Sequence, residues 1–526
     1  MTRARTEMEG ERLDLQGELD ARKSQSERNK LGQFATPTQL ARDILRHAKG
    51  LLDSDAGVHF LDPAIGTGSF FSALQAEFSP EEIKSAIGYE IDQHYGLPAA
   101  SLWAATPLDY RLGDFTTATP DQLANLLICN PPYVRHHHIG ADKARLQTAA
   151  MKAIGAKLGG LSGLYCYFLA LAHRWMAPGG IAGWLIPSEF MNVNYGKAIK
   201  QYLLEEVTLL QVHRFDPNDV QFADALVSSA IVWFRNERPR PEHEVKFTFG
   251  GKLGSPSLER LVPTSVLARE PKWTRFPLAD LASVERKGPT VSDFFKIKRG
   301  IATGDNGFFV LDENVILERD LPFEAFRPIL PSPRYVKCDE IFADGRGIPT
   351  NVQRLFLLDP RLPEEEIDRQ YPGLAQYLEE GRGRDLHQRY LCRHRSPWYA
   401  QEKREPPPIV CTYLGRGDAK SGRPFRFIRN RSRATIANVY LAMYPSEEFQ
   451  RLIDVDPDLL DLAWSELNEV SPEALLGEAR VYGGGLHKLE PRELATVPLN
   501  GLADAIMRRG VQPWFNGAGD LLEAAE

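Results

Sequence analysis

The sequence predicts an α/β domain built on a mostly parallel sheet, followed by a second domain of mixed α and β structure. Short apolar runs alternate with helical periods from about residue 31 to 240, and this alternation indicates a sheet covered by helices on both faces. A glycine turn follows the first apolar run, and polar side chains follow several others. Past residue 240, glycine, proline and short β-like runs become more frequent, which favours a separate α+β domain.

Length and composition are those of a globular protein. The 526 residues allow two or three domains, and the hydrophobic and charged fractions of 43% and 25% are ordinary. Apolar runs stay well below the ~20 residues that a membrane-spanning helix needs, and the N-terminus is charged rather than signal-like. The five cysteines are scattered without a Cys-x-x-Cys pair. We therefore expect a cytoplasmic protein with no membrane partner, no disulfide framework and no zinc site.

Residues 1–30 are rich in Glu, Arg and Lys and poor in apolar side chains. This composition predicts an exposed N-terminal helical arm, in part disordered.

The elements of the first domain follow in order. The predicted strands are Val58–Leu61, Ala86–Tyr89, Leu126–Cys129, Ile181–Ile186, Leu209–Val212 and Ser229–Phe234. A third strand is expected just before Gly113. Helical periods between these runs predict helices at Pro37–Lys49, Ser69–Phe78 and Leu164–Met176.

The proline- and charge-rich run Arg238–Glu242 predicts a boundary, residues 246–290 a linker region, and residues 291–526 the second domain. Within the second domain, β-like runs lie at Phe294–Ile301, Gly307–Leu311 and Ile409–Tyr413, and a helical patch at Ser446–Leu476. Between Gly381 and Tyr440, fourteen Lys/Arg stand against four Asp/Glu, a local net of 14 − 4 = +10 on a chain of net charge −7. Such a basic, aromatic stretch is typical of a phosphate-binding surface, although a solvated face would look the same.

The run Asp62–Phe70 combines a strand end, the glycines Gly66 and Gly68, and a helix start. Glycines let a ligand approach the backbone, and a helix N-terminus carries partial positive charge. The next strand ends at Glu90, where a carboxylate can bind both hydroxyls of a ribose. Since the third glycine of a Gly-x-Gly-x-x-Gly fingerprint is absent, the pattern favours a nucleoside cofactor without phosphates.

Asp114 and Phe115 follow the third strand region. Asp114 can accept a hydrogen bond from the amine of a cofactor adenine, and Phe115 can pack on its ring. Taken singly, an N-cap aspartate and a core phenylalanine would look the same. In open α/β sheets, ligands bind at the carboxyl ends of the strands, and all of these residues lie there.

The fourth strand is followed by Asn130-Pro131-Pro132-Tyr133. Two prolines end the strand and stiffen its exit. The Asn130 side-chain oxygen and the Pro131 carbonyl can accept both hydrogens of an exocyclic amine, and Tyr133 can stack on the ring that bears it. Taken alone, Asn-Pro-Pro could equally be a turn that ends a strand.

These motifs, in this order, resemble the S-adenosylmethionine-dependent DNA amino-methyltransferases, and within them the N6-adenine enzymes of the gamma order, the Taq-type type II modification enzymes. Gly32–Pro37 is similar to the family motif that contacts the methionine part of the cofactor. Asp62–Phe70 is similar to its glycine loop and Asn130–Tyr133 to its catalytic tetrapeptide. Phe222 resembles the aromatic residue that packs on the flipped base. Arg299–Phe308 and Gly483–Pro491 resemble, more loosely, the opening and closing segments of a target-recognition domain.

The resemblance implies a Rossmann-like class I methyltransferase domain with a mixed seven-stranded sheet at residues 31–245, and a target-recognition domain at 291–526. It implies adenine-N6 methylation of double-stranded DNA after base flipping, with S-adenosyl-L-methionine as cofactor. A cognate restriction endonuclease is expected as functional partner, and a monomer suffices. The implied catalytic residues are Asn130, Pro131, Pro132, Tyr133 and Phe222. The implied cofactor contacts are Gln33, Phe34, Ala35, Thr36, Pro37, Asp62, Pro63, Ala64, Gly66, Gly68, Phe70, Glu90, Ile91, Asp114, Phe115 and Asn130.

Other hypotheses keep parts of this pattern. Cytosine N4, an RNA base or a protein glutamine amide would also suit the tetrapeptide, and a non-catalytic DNA-binding defence protein could keep the fold. His136-His137-His138 resembles a metal site, but three adjacent side chains converge on one ion only with strain, which favours a polar loop near DNA phosphates. Glu244-Val245-Lys246, with Asp216, echoes a nuclease motif that is short and common.

Overall fold

The computed structural model describes residues 3–53, 57–216, 228–278, 288–416, 423–482 and 486–510. The chain divides into two compact units, one of Met1–Glu285 with Val481–Gly485 and the other of Arg286–Arg480 with Leu486–Glu526. Among the described residues, no helix combines the length and apolar character needed to cross a membrane.

The first unit is built on one mixed sheet. Its described strands are β1 (Val58–Asp62), β2 (Ile83–Glu90), β3 (Leu108–Leu112), β4 (Ala124–Cys129), β5 (Met176–Pro187), β6 (Thr208–Arg214), β7 (Ser229–Arg235), β8 (Glu244–Lys252) and β9 (Ser255–Pro263). They lie in the order β3-β2-β1-β4-β5-β7-β6-β8-β9. Strands β1 to β5 pair in parallel, whereas β7 is antiparallel to both β5 and β6. The predicted mixed sheet of the class I methyltransferase fold is therefore confirmed.

Within the described part of the chain this sheet has nine strands rather than the predicted seven. Strand β8 pairs in parallel with β6, and β9 pairs antiparallel with β8. These strands and the helix after them take up much of the range 246–290 for which a linker was predicted. Val262, Leu267 and Trp273 from that range are buried in the core of the first unit, so the linker prediction is wrong there.

Helices cover both faces of this sheet. In the first unit the described helices are α1 (Arg3–Ala21), α2 (Gln25–Leu31), α3 (Thr38–Leu51), α4 (Ser69–Glu77), α5 (Gln93–Trp103), α6 (Lys143–Ile154), α7 (Leu164–Ala172), α8 (Lys197–Glu205) and α9 (Thr264–Arg269). Two separate apolar clusters hold them against the sheet. Helix α7 is buried from Tyr165 to Ala172, which explains its nearly continuous apolar sequence.

The N-terminal arm predicted at 1–30 is a packed part of the unit. Helix α1 lies against α4 and α5. Leu19 and the charged Arg12 are buried in this contact, at 2% and 1% exposure. The amino-acid composition suggested an exposed arm because α1 is held mainly by polar and charged contacts rather than by an apolar stripe.

The second unit combines small sheets with helices, as predicted for its α+β class. Its described strands are β10 (Phe295–Arg299), β11 (Val310–Asp312), β12 (Phe326–Ile329), β13 (Glu340–Ile341), β14 (Leu355–Leu358), β15 (Ile409–Thr412), β16 (Leu414–Arg416), β17 (Phe427–Asn430), β18 (Tyr440–Pro445) and β20 (Leu486–Lys488), with β19 (Arg480–Tyr482) at the boundary between the units. Its described helices are α10 (Val291–Phe294), α11 (Asn306–Phe309), α12 (Glu313–Glu318), α13 (Glu364–Gln370), α14 (Pro372–Gly383), α15 (Tyr390–Arg393), α16 (Glu447–Val455), α17 (Asp458–Glu469), α18 (Pro472–Glu478), α19 (Pro491–Ala495) and α20 (Asn500–Arg508). The main sheet has the order β10-β18-β15-β17-β13.

Much of the positive charge between Gly381 and Tyr440 is compensated inside the second unit. Arg389 pairs with Asp305 at 2.6 Å. Arg429 and Arg431 both pair with Asp461, at 2.7 and 2.9 Å. Since these acidic partners lie outside the stretch, the local net charge counted along the chain overstates the charge available to a phosphate.

Candidate active site

A cavity of about 780 Å³ lies at the carboxyl ends of β1 to β4, entirely within the first unit. Most of the residues predicted to contact a cofactor line it: Gln33, Phe34, Ala35, Thr36, Asp62, Pro63, Ala64, Gly66, Phe70, Glu90, Ile91, Asp114, Phe115 and Asn130. Pro37 and Gly68 are not among the residues that line it. Pro37 precedes the first residue of α3, and Gly68 precedes the first residue of α4. Strand ends that are far apart in sequence meet here because parallel strands share one carboxyl edge.

The turn between β1 and α4 requires glycine at Gly68. Its φ of 94° is unfavourable for other residues, and a Cβ there would lie 2.4 Å from Trp103 Nε1. That indole nitrogen donates a hydrogen bond to the Thr67 carbonyl at 2.9 Å, so Trp103 is held in place. The backbone of the turn is thus fixed close to the cavity, where a Cβ-bearing residue would push it out of shape.

Two carboxyl groups follow β1 and β2. Asp62 is 1% exposed and accepts a hydrogen bond from the Ala64 amide at 3.1 Å. Glu90 accepts from the amides of Gly66 and Asp92, at 3.2 and 2.7 Å. Burial raises the pKa of Asp62 to about 8, with a smaller contribution from the nearby Glu90, and burial also raises the pKa of Glu90. Two backbone donors therefore orient the Glu90 carboxylate, which leaves its other lone pairs for a ligand with paired hydroxyls.

Asp114 has the capping role that the sequence allowed, and it stands in the cavity wall. Its carboxylate caps the short turn after β3 by accepting from the Thr116 amide at 2.8 Å, and it lines the cavity. Its second oxygen lies 3.5 Å from the Arg145 guanidinium. Phe115 is buried beside it, with its ring 5.5 Å from that of Tyr89. A planar ring of a ligand would pack here on the apolar Phe115, with the Asp114 carboxylate as a hydrogen-bond acceptor beside it.

The Asn130 amide is held in one orientation. Its Nδ2 donates to the Phe34 carbonyl at 2.9 Å and to Thr36 Oγ1 at 3.1 Å. Because a carbonyl can only accept, the nitrogen must be the atom that faces Phe34. Asn130 Oδ1 is then left buried with no hydrogen-bond partner within the described residues. An orphaned buried acceptor costs about 1–3 kcal/mol, so this oxygen is ready for a donor that a ligand would bring.

The rest of the tetrapeptide frames this oxygen. Pro132 lines the cavity, whereas Pro131 is buried behind it. The Tyr133 hydroxyl donates to the Leu185 carbonyl at 3.0 Å, and its ring is tilted 46° against that of Phe34 at 5.8 Å. Burial raises the pKa of Tyr133, which keeps the hydroxyl neutral. Tyr133 is thus fixed by its hydroxyl at the back of the site.

Gly32 brings the N-terminal segment against this tetrapeptide. Its φ is 66°, and a Cβ there would lie 2.3 Å from the Tyr133 amide nitrogen. The Tyr133 amide in turn donates to the Gly32 carbonyl at 3.2 Å. Close backbone contact of this kind leaves no room for any side chain at residue 32.

Helices α1 and α2 contribute a part of the site that was not predicted from the sequence. Gln16, Asp20, Lys23, Lys30 and Leu31 line the cavity, although they fall in the range predicted as an exposed arm. A signal was present: Ser24 and Glu27 form a capping box at the start of α2, and Gly32 ends that helix directly before Gln33. A helix that ends at the cofactor motif has to lie beside the cofactor site.

Two predicted features lie outside the described residues, namely Phe222 and the glycines Gly483–Gly485. The three histidines form a short 3₁₀ turn at His136–His138, of which His138 lines the cavity. Among the described residues, no group of three or more His, Cys, Asp or Glu side chains could hold a metal ion. The metal hypothesis therefore gains no support from the described geometry.

Comparison with known proteins gives two family matches along the chain. Residues 119–221 match the family described as Eco57I restriction-modification methylase. Residues 272–512 match the family described as type II methyltransferase M.Eco57I, C-terminal domain.

Similar proteins share most of this length. The type II methyltransferase M.AccI of Acinetobacter calcoaceticus is 26% identical over 483 residues, which are 89% of this chain and 85% of the relative. The type II methyltransferase M.XamI of Xanthomonas campestris pv. amaranthicola is 25% identical over 480 residues, covering 88% and 84%. Among solved structures, the type IIL restriction-modification enzyme MmeI in complex with DNA is similar in fold, with a TM-score of 0.50 and 12% identity over 92% of this chain and 69% of that one. With the class I fold of its first unit and these matches along both units, the chain is similar to the type II restriction-modification methyltransferases over most of its length.

Proposed function

We propose that this protein methylates DNA with S-adenosylmethionine as methyl donor, and that its target is the exocyclic N6 amine of adenine. The observation that carries the proposal is the Asn130 amide in the cavity wall. Its nitrogen is bonded to Phe34 and Thr36, whereas its buried oxygen Oδ1 has no partner in the part of the chain that the structure describes. An amine donor is what such an acceptor lacks.

The cavity suits a nucleoside cofactor that carries no phosphates. Glu90 offers a carboxylate to ribose hydroxyls, and Asp114 with Phe115 offers an acceptor beside an apolar wall. Because its pKa is raised to about 8, buried Asp62 adds a negative charge for a cationic ligand once that ligand has displaced its proton. When bound, S-adenosylmethionine would supply an electrophilic methyl group on a positively charged sulfur.

The residues of the tetrapeptide prepare the amine. Asn130 Oδ1 and the Pro131 carbonyl accept its two hydrogens, which draws the nitrogen toward tetrahedral geometry and localises its lone pair. The nitrogen would then attack the methyl group directly, without a covalent intermediate on the protein. The bond from that methyl group to sulfur would break, S-adenosylhomocysteine would leave, and the methylated nitrogen would lose one proton to water. Positioning and preorganised dipoles account for the rate gain, and no side chain has to change its own bonds.

Access to Asn130 Oδ1 requires a flipped base. The oxygen is buried in the wall of a cavity, whereas the N6 amine of a paired adenine is held inside the duplex. We therefore include extrusion of the base in the proposal. Phe222 is proposed to stack on the extruded ring from the side opposite Tyr133, where such stacking is worth about 1–3 kcal/mol.

Replacing Phe222 by alanine is expected to reduce the fluorescence rise of 2-aminopurine at the target position, because the extruded base loses a stacking partner. The measurement is a titration of labelled duplex with enzyme and cofactor. Cofactor affinity, measured in the same samples, should stay near that of the unmodified protein. A fluorescence rise equal to that of the unmodified protein would contradict this role.

The experiment that tests the function is mass spectrometry of nucleosides from DNA incubated with the protein and labelled S-adenosylmethionine. We expect N6-methyladenine. N4-methylcytosine, or label in RNA or protein in place of DNA, would show that the site accepts another amine. We also propose that the second unit is the target-recognition domain. A cognate endonuclease is proposed to cut the same DNA site when that site is unmethylated.

Cofactor affinity is expected to rise as pH increases from about 6 to 8. Burial raises the pKa of Asp62 to about 8, so below that value the ligand-free protein holds a proton there that a cationic ligand must displace. The affinity for the cofactor should increase by up to about tenfold per pH unit well below pH 8, and it should become independent of this proton above pH 8. Calorimetry in buffers of different ionisation enthalpy measures both the affinity and the released proton. In the Asp62→Asn variant the proton release should be smaller and the slope flatter; an unchanged slope there would assign the effect to another group.

A further inference from the structure

A charged residue that is almost completely buried beside the glycine turn comes from α1. Arg12 is 1% exposed, and its guanidinium donates to both carboxylate oxygens of Glu9, at 2.7 and 2.6 Å. A buried ion pair of this kind is weak evidence for stability, because apolar residues of similar volume often serve as well. The contacts made by the remaining donors of the guanidinium are more informative.

Those donors reach the glycine turn. Arg12 Nη1 donates to Thr67 Oγ1 at 3.3 Å and to Ser69 Oγ at 3.1 Å, so it holds the hydroxyls on both sides of Gly68. Arg12 Nη2 also donates to Thr38 Oγ1 at 3.2 Å, at the start of α3. One planar group thus ties α1 to the two helix starts that border the cavity.

The same helix continues along the cavity. Gln16 accepts a hydrogen bond from the Thr67 hydroxyl at 2.6 Å. Asp20 accepts from the Tyr95 hydroxyl at 2.8 Å, on α5. Beyond the end of α1, Lys23 bonds to Asp92, which follows β2. Gln16, Asp20 and Lys23 all line the cavity, so this face of the segment is part of its wall.

We propose that the N-terminal segment, residues 3–36, is an integral part of the cofactor site, and that Arg12 is a positioning residue which fixes the glycine turn through Thr67 and Ser69. This inference rests on the proposed use of S-adenosylmethionine. Arg12 itself stands behind the turn and acts through it. Without the guanidinium, both hydroxyls lose a donor, and the turn samples conformations that bind the cofactor poorly.

The test uses a double variant of the full-length protein, Arg12→Met with Glu9→Gln, which removes both charges together and avoids an unpaired buried carboxylate. The matched control is Arg22→Met, since Arg22 lies just beyond the end of α1 with a side chain 66% exposed. Calorimetry measures the Kd for S-adenosylmethionine, and thermal unfolding without ligand measures stability. Initial rates on DNA separate the KM for the cofactor from kcat.

In the double variant we expect a Kd about tenfold weaker, which corresponds to about 1.4 kcal/mol of binding free energy. The KM for the cofactor should rise by a similar factor, while kcat at saturating cofactor stays close to that of the unmodified protein. A purely structural role would lower the melting temperature and leave the Kd of the folded protein unchanged. Amide hydrogen exchange at 66–72 should accelerate in the double variant and not in Arg22→Met.

A Kd in the double variant equal to that of the unmodified protein would overturn the inference. Where the double variant fails to fold, Ser69→Ala takes its place, because it deletes one acceptor of Arg12 and leaves the ion pair with Glu9 intact. A several-fold weaker Kd then supports the positioning role, and an unchanged Kd overturns it. If the unmodified protein binds no S-adenosylmethionine, the proposed function fails. Equal binding by unmodified protein and variants refutes this inference alone.

Discussion

Replacing Asn130 by alanine is expected to lower kcat for DNA methylation by about 10²–10³-fold, the loss seen when one preorganised polar contact to a reacting group is removed. The amide oxygen is the buried acceptor to which the target amine is proposed to donate. Cofactor affinity should change little, because Asp62, Glu90 and the glycine turn remain. Transfer of labelled methyl groups and calorimetry of cofactor binding measure the two quantities.

Thr36→Val is the matched control for Asn130→Ala. It removes one of the two acceptors of Asn130 Nδ2 and leaves the Phe34 carbonyl in place. The amide then keeps its orientation for part of the time, so we expect a smaller loss of kcat, which Thr36→Ser should restore. If Asn130→Ala transferred methyl groups at nearly the unmodified rate, the role of this amide in the chemistry would be refuted.

Replacing Gly68 by alanine is expected to destabilise the first unit and abolish cofactor binding together. The left-handed backbone costs about 1–2 kcal/mol for a residue with a Cβ. Overpacking against Trp103 adds about 1–3 kcal/mol, because the ring is buried and hydrogen-bonded. Thermal unfolding and equilibrium binding of S-adenosylmethionine measure the two effects.

Gly66→Ala separates the cost of the left-handed backbone from the cost of overpacking against Trp103. Gly66 has a φ of 55°, and a Cβ built there meets no atom within 4 Å. It should therefore suffer only the backbone cost, and its melting temperature should fall less than that of Gly68→Ala. Equal losses in the two variants would show that the contact with Trp103 is relieved by a shift of the turn.

The α/β core was predictable because its strands are buried on both faces. Leu126 to Cys129, for example, are 0% exposed, and a strand of this kind has a continuous apolar sequence. The carboxyl-edge residues then follow from chain order alone. The hairpin β8–β9 escaped prediction since one of its faces is exposed and charged, so that its sequence resembles a loop.

Other features depend on contacts that no sequence pattern shows. Helix α1 is held by the Arg12 network, whose partners lie at the glycine turn and at the start of α3. The orientation of the Asn130 amide depends on the Phe34 carbonyl, 96 residues away. The basic stretch at 381–440 is compensated by acids such as Asp461, which charge counting along the chain cannot pair. Hydrophobic periodicity in a sequence indicates which side chains are buried, whereas these features depend on contacts between residues that are far apart in the chain.

The close backbone contact between Gly32 and Tyr133 has a consequence for how the two ligands would influence one another. Residues 33–36 contribute to the cofactor cavity and also supply both acceptors for the Asn130 nitrogen. Ligand binding in the cavity and the orientation of the Asn130 amide oxygen therefore both depend on the conformation of residues 33–36. Thermodynamic linkage requires any such coupling to be reciprocal. If bound methyl donor raises the affinity for an extruded base by some factor, the bound base raises the affinity for the methyl donor by the same factor.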